Sequence, residues 1–314
     1  MEATTSAPDA GTLILHHYDA SPFSQKALLM LGIKGATWCS ALMPMMPPKD
    51  ELLALTGGYR GTPVLQVGSD VYVDSQLIAR ELDRRLPAKP LVPLAHGAME
   101  RMMVRWADAF FRTSLGIVLG VALPFWPEEF RRDREQLFPD VDFGAAAANL
   151  DHARAQYRAH AALLEEQLAD GRSFLMGAQP GLADVQAWPF LWILRQNLPE
   201  QAAALLAGFP SLGAWEARCA GIGQGERREI AAGEALAVAL ASTPTTAECV
   251  DAEDAQGLRA GQRVGVTPDD TRRGEVVGEV VVATPTRVAI RRVHDAVGEV
   301  VVHFPRAGYR VTPR

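Results

Sequence analysis

Cysteine is scarce, with Cys39, Cys219 and Cys249 the only three in 314 residues. They lie far apart and leave one unpaired, which argues against a disulfide framework or zinc cluster and for a reducing compartment. Lysine is almost as scarce. Lys26, Lys34, Lys49 and Lys89 are the only lysines among 31 basic residues. The formal net charge is −6, so the chain lacks the basic excess of a nucleic-acid binder. No apolar run approaches the roughly 20 residues that a membrane helix needs. The opening MEATTSAPDA lacks the positive start and apolar centre of a signal peptide. The expectation is a cytoplasmic protein with neither a membrane nor a nucleic acid as partner.

What is present is core-forming. Hydrophobic residues make up 48% and charged residues 22%, enough for two or three domains that each bury a core. Residues 12–18 form an apolar and aromatic run suited to a buried strand. Ser21-Pro22 opens a helix through 25–31, stopped by Gly32 or Gly35, with proline in the first turn where its missing N–H costs nothing. Residues 37–42, 62–67 and 71–73 read as strands, the last two joined by the turn Gly68-Ser69-Asp70. Asp74-Ser75 caps a helix to about Leu86. This is a mixed α/β unit over 11–88.

Beyond the proline-rich break at 89–93, residues 95–241 read as helical. Met99, Met102, Met103, Trp106 and Phe110 recur at helical spacing, as do Leu150, Tyr157, Leu164 and Leu168. Such a stripe is core, or else the wall of a hydrophobic-substrate site. Ser242-Thr243-Pro244-Thr245-Thr246 reads as a linker. After it, short β-rich runs at 263–266, 276–283, 287–293, 300–304 and 309–312 are separated by turn residues such as Pro268-Asp269-Asp270. They predict a small all-β domain over 248–314, an antiparallel barrel of SH3-like type. From Thr245 onward its ten arginines balance ten acidic residues, which fits an interface or substrate-shielding role better than nucleic-acid binding. His16 and His17 point to opposite faces of one strand and so share no metal. His294 and His303 read as surface or barrel residues.

Three features carry chemistry. The segment Ser21-Pro22-Phe23-Ser24 starts a helix, where free N–H groups and a partial positive charge favour an anion such as a thiolate. A thiol with pKa near 8.5 is only slightly ionised at pH 7. Lowering that pKa by about 2 requires roughly 2.7 kcal/mol. A helix end supplies about 0.3–1 kcal/mol, and a hydroxyl donating to the sulfur about 1.5–3 kcal/mol. Ser21 is either that donor or simply an N-cap. Thr62-Pro63-Val64 is the second feature: a cis Pro63 would leave backbone groups at Val64 to pair with an extended peptide. The third is Asp74-Ser75, a carboxylate and hydroxyl at a helix start suited to a ligand ammonium and carboxylate.

In this order, LILHHYDASPFSQKALLMLGIKG and RGTPVLQVGSDVYVDSQLIARELDRRLP resemble the glutathione-binding domain of the glutathione transferase family, of cytosolic and bacterial kind. PGLADVQAWPFLW resembles the buried capping box that starts a core helix of that family's helical domain, and FPSLGAWEARC the pattern near its end. The resemblance implies a thioredoxin-like domain followed by an all-α domain, the C-terminal β domain being additional. It assigns Ser21 as the thiol-activating residue, with Ser24 an open alternative for the thiol contact. Ser21, Phe23, Lys49, Thr62, Pro63, Val64, Asp74 and Ser75 then bind glutathione, Asp74 and Ser75 holding its γ-glutamyl end. Lys49 and Arg60 are placed to reach the glycine carboxylate. Trp106, Phe110 and Phe111 would wall the electrophile site.

The implied activity is addition of glutathione, as co-substrate, to a small hydrophobic electrophile. Lyase, isomerase and dehalogenase variants of that chemistry are not separated from it. The implied assembly is a homodimer with no metal. The alternative is a non-catalytic protein of the same fold acting through its C-terminal β domain. Two departures concern the helical domain: Gly181 stands where the capping box usually has serine or threonine, and Pro189 should kink the helix that follows.

Overall fold

A computed structural model describes residues 7–269 and 274–314. The third residue of the turn expected at Pro268-Asp269-Asp270, and the first six of the opening segment, lie outside the described residues. In chain order the N-terminal elements are β1 (Ile14–His17), α1 (Pro22–Lys34), β2 (Thr37–Leu42), α2 (Asp50–Thr56), β3 (Val64–Val67), β4 (Asp70–Val73) and α3 (Ser75–Arg85). Seven helices follow: α4 (Met99–Met102), α5 (Val104–Ala122), α6 (Glu128–Leu137), α7 (Leu150–Leu168), α8 (Leu182–Asn197), α9 (Pro199–Leu206) and α10 (Pro210–Gly221). The chain then runs through β5 (Glu226–Ile230), α11 (Ala232–Leu240), β6 (Cys249–Val250), β7 (Arg263–Pro268), β8 (Val276–Ala283), β9 (Arg287–His294), β10 (Gly298–Pro305) and β11 (Tyr309–Pro313). Packing divides the chain into two units: residues 1–18, 37–81 and 226–314 in the first, and 19–36 with 82–225 in the second.

The first unit is built on one sheet. β1 lies parallel to β2 and antiparallel to β3, and β3 is antiparallel to β4. These strands are buried nearly throughout, so their polar side chains must find partners. His16 and His17 do so on different residues, as alternation requires. His16 Nε2 meets Gln66 Oε1 at 2.8 Å, and His17 Nε2 meets Ser40 Oγ at 2.9 Å.

Both outer strands of this four-stranded core gain a neighbour. β5 adds parallel to β2, and β10 adds parallel to β4, aligning Val301, Val302 and His303 with Asp70, Val71 and Tyr72. The C-terminal strands form the antiparallel run β11-β7-β8-β9-β10, the five expected from the sequence, and continue the sheet through β10. A bulge at Val281 shifts the β8–β9 register. One apolar core runs from Leu52, Leu55, Val64 and Val73 into Val280, Ile290 and Phe304.

The linker is anchored to this sheet. Asp70, 1% exposed, accepts hydrogen bonds from Thr245 N (2.9 Å), Thr245 Oγ1 (2.7 Å), Thr246 Oγ1 (2.7 Å) and His303 Nε2 (3.1 Å). His303, expected at the surface or in the barrel, is fully buried and stacks on Tyr72 at 4.4 Å. His294 is exposed. Burial pushes the Asp70 carboxyl up, but hydrogen bonds from His303, Thr245 and Thr246 outweigh it and hold the group well below the usual carboxylate range.

Three local readings are corrected. Residues 226–230, inside the stretch read as helical, form β5: Glu-Arg-Arg-Glu-Ile has charges suited to a sheet edge and lacks the apolar alternation of a recognisable strand. The seven-residue α2 and two-residue β6 are too short for periodicity to reveal. The methionine stripe breaks at Met103, where α4 ends and α5 begins. Met99 and Met102 are therefore exposed while Phe110 is fully buried.

In the second unit α5 packs on α7 and α8. Met99–Phe125 is the one helical stretch among the described residues long and apolar enough to cross a membrane, yet Phe110, Ser114, Ile117 and Leu119 within it are buried in this unit. α8 is uninterrupted through Pro189. Its N-terminus resolves the missing cap. Asp184 accepts from Gly181 N, Leu175 N and Trp215 Nε1 at 2.7–2.9 Å. Glu100 Oε2 takes the Ala183 N–H at 2.8 Å, the bond a serine or threonine at position 181 would make. A Cβ on Gly181 would lie 2.8 Å from that same oxygen. Glycine at 181 and a buried acid at 100 are thus one solution.

Candidate functional site

Ser21, in the second unit, is extended (φ −85°, ψ 123°) and 3% exposed; its Oγ accepts from Ser24 N at 3.1 Å. The N-cap role is therefore real. It uses a lone pair and leaves the hydroxyl hydrogen uncommitted by that bond, so capping and donation to a thiolate are compatible. The Ser24 hydroxyl is fully buried with no partner among the described residues, and Phe23 packs edge-on against Phe111 at 4.9 Å.

Lys49, Thr62, Pro63, Val64, Asp74 and Ser75 belong to the first unit. The Thr62–Pro63 bond is cis, and Val64 opens β3, in register with His16 and Val73. Lys49 is buried with its Nζ 5.2 Å from the centre of the Tyr18 ring. Arg60 is half-buried and has partners of its own. Asp74 is the one non-glycine residue among those described with positive φ (72°), a conformation that aspartate tolerates better than most side chains. Its Oδ1 accepts from Gln76 N at 2.9 Å, and its Oδ2 accepts from the Tyr309 hydroxyl at 3.1 Å. Ser75 is buried beside it. Farther along, Arg292 Nη1 donates to the carbonyls of Ala54 and Leu55 at the end of α2. Sequence reasoning missed Tyr309 and Arg292, which carry no signal beyond their strand positions.

Among the residues expected to wall an electrophile site, all in the second unit, Trp106 keeps accessible surface while Phe110 is wholly buried and Phe111 nearly so. Phe110 packs against Tyr157 and His160 at 5.2 and 5.3 Å. Burial pushes the Tyr157 hydroxyl and the Cys219 thiol up and the His160 ring down, so none of the three gains charge at neutral pH. Cys39 and Cys219 are buried and free, and Cys249 is exposed. No cluster of three potential metal ligands occurs among the described residues.

The model of the glutathione S-transferase N-terminal domain matches residues 20–85, and that of the C-terminal domain matches residues 147–218. A GST-like protein from Pseudomonas syringae is 33% identical, with a TM-score of 0.81 over 97% of this chain and 100% of its own. That match extends into the C-terminal β region. A glutathione transferase from Phanerochaete chrysosporium (19% identity, TM-score 0.56) covers 69% of this chain and 98% of its own. A tau-class enzyme from mango, Mangifera indica (20%, 0.51), covers 66% and 88%. The last two show a common fold alone. No curated protein matches this sequence. With both domain models in chain order and a relative matched end to end at 33% identity, the chain belongs to the glutathione transferase family.

Proposed function

We propose that the protein binds reduced glutathione and joins its sulfur to a small hydrophobic electrophile. The observation that carries this reading is Asp74, a carboxylate held at positive φ at the start of α3, directly before buried Ser75. A strained conformation in a non-glycine residue costs about 1–3 kcal/mol, and such residues cluster at ligand sites. Asp74 and Ser75 hold the γ-glutamyl end, and Val64 pairs with the backbone of the cysteine. Lys49 serves the glycine carboxylate. Ser21 donates to the sulfur and keeps it ionised. The thiol proton leaves to solvent, the sulfur–carbon bond forms, and the leaving group departs with its electron pair or the adduct takes up a proton. Trp106, Phe110 and Phe111 belong to the helical domain on which the electrophile is received. The protein acts in the cytoplasm, where glutathione is reduced, as a homodimer of the kind common in its family.

The test is a calorimetric titration of the protein with reduced glutathione. Micromolar-to-millimolar binding is expected, abolished in Asp74→Ala. Turnover against a panel of electrophiles should then be lost in Ser21→Ala while affinity is kept. Absence of glutathione binding by the wild type would overturn the reading.

A further inference from the structure

The C-terminal β region reaches the residue on which the proposed glutathione site depends. β4 ends one residue before Asp74, and it is held by β3 on one side and by β10 on the other. Tyr309 is the first residue of β11 and is 8% exposed. Its ring packs on Phe304 at 5.6 Å, within the core that also contains Val64 and Val73. That packing delivers the hydroxyl to Asp74 Oδ2 at 3.1 Å, while the other oxygen takes the Gln76 N–H.

Each carboxylate oxygen has two acceptor sites. The two bonds use one on each oxygen and leave the other free for a cation. They also fix a side chain whose terminal torsion is otherwise broad. Without Tyr309 the carboxylate would be tethered through a single oxygen. Its rotation would then have to be arrested by the ligand, at the ligand's expense in affinity.

Resting on the glutathione reading above, the geometry points to Tyr309 as a positioning residue that orients the Asp74 carboxylate for the α-ammonium of a γ-glutamyl ligand. The C-terminal β region is thereby a component of the binding site. The residue acts through Asp74 and takes no part in bond making.

The test compares Tyr309→Phe with wild type in titrations of two ligands: reduced glutathione, and its analogue with a γ-glutaryl group, which lacks the α-amine and keeps the rest. Phenylalanine preserves the packing on Phe304, and a melting curve checks the fold. The expected result is a loss of about tenfold for glutathione in Tyr309→Phe, the scale of one hydrogen bond to a charged group, with the glutaryl analogue changed by less than about twofold. Wild-type binding of glutathione that Asp74→Ala abolishes but Tyr309→Phe leaves intact would overturn this inference alone. Equal weakening of both ligands would do the same, showing only a structural role for the tyrosine. A wild type that binds neither ligand would overturn the glutathione reading and this one together.

Discussion

Replacing Asp70 by alanine removes the acceptor for four hydrogen bonds at once: two from Thr245, one from Thr246 and one from His303. The backbone ladders of β4 to β3 and β10 stay available, because they use main-chain groups. The stranded partners are the problem. The His303 ring is fully buried between its neighbours and cannot turn to water, and Thr245 and Thr246 hold the linker against the sheet through this carboxylate. Burial pushes the His303 ring down, so Asp70 is the one charge lost and what remains are neutral buried donors short of an acceptor. These cost about 1–3 kcal/mol each, a large share of the 5–15 kcal/mol typical of a folded domain. Urea unfolding at pH 7, followed by far-ultraviolet circular dichroism and tryptophan fluorescence, should show the midpoint falling by about 1 M or more. The pH dependence has a definite sign. Asp70 ionises below the usual range in the folded protein, so its contribution is present above the unfolded value near 3.9 and is lost as pH falls toward the folded one. The wild-type advantage therefore persists from pH 8 to about 5 and closes only below about 4. A difference under about 1 kcal/mol at pH 7, or one that closes between pH 7 and 5, would refute the reasoning.

The cap of α8 makes a second prediction. Gly181→Ser, which restores the residue usual in the family, should destabilise by about 1–3 kcal/mol, because its Cβ meets Glu100 Oε2. In a Glu100→Ala background the same serine should cost less, its Cβ then meeting chiefly the Leu91 carbonyl at 3.0 Å, and a double-mutant cycle with additive effects would sink the idea. A third prediction concerns His16, which burial pushes down to about 4 despite its bond to Gln66. The unfolded chain binds the extra proton between about pH 4 and 6.5, so stability rises with pH through that window, by on the order of 3 kcal/mol from this residue. His16→Gln should flatten the rise in calorimetric melts, and an unchanged slope would remove His16 as its cause.

Much of the architecture was legible from residue type and order. The apolar run around Ile14, the Ser21-Pro22 helix start and the valine-rich runs near the C-terminus each appear where expected. These are local matters: burial demands apolar side chains at a given period, and caps and turns demand particular residues at particular offsets. The two serines at 21 and 24 and the pair Asp74-Ser75 were visible for the same reason. The chain alone therefore determined the strands, most of the helices and the residue types that make its family recognisable.

Tertiary structure decided who meets whom. Nothing in Glu-Arg-Arg-Glu-Ile announces a strand until β2 offers it an edge. Nothing near Gly181 shows that its missing cap comes from Glu100, or near Asp74 that its second hydrogen bond comes from Tyr309. Nor does the even charge balance of the last 70 residues reveal that they extend the first sheet through β10. The physical reason is the same in each case. A hydrogen-bonding edge or an unfilled acceptor accepts any donor that folding brings within about 3 Å, and the distance along the chain leaves no trace in either partner's neighbourhood.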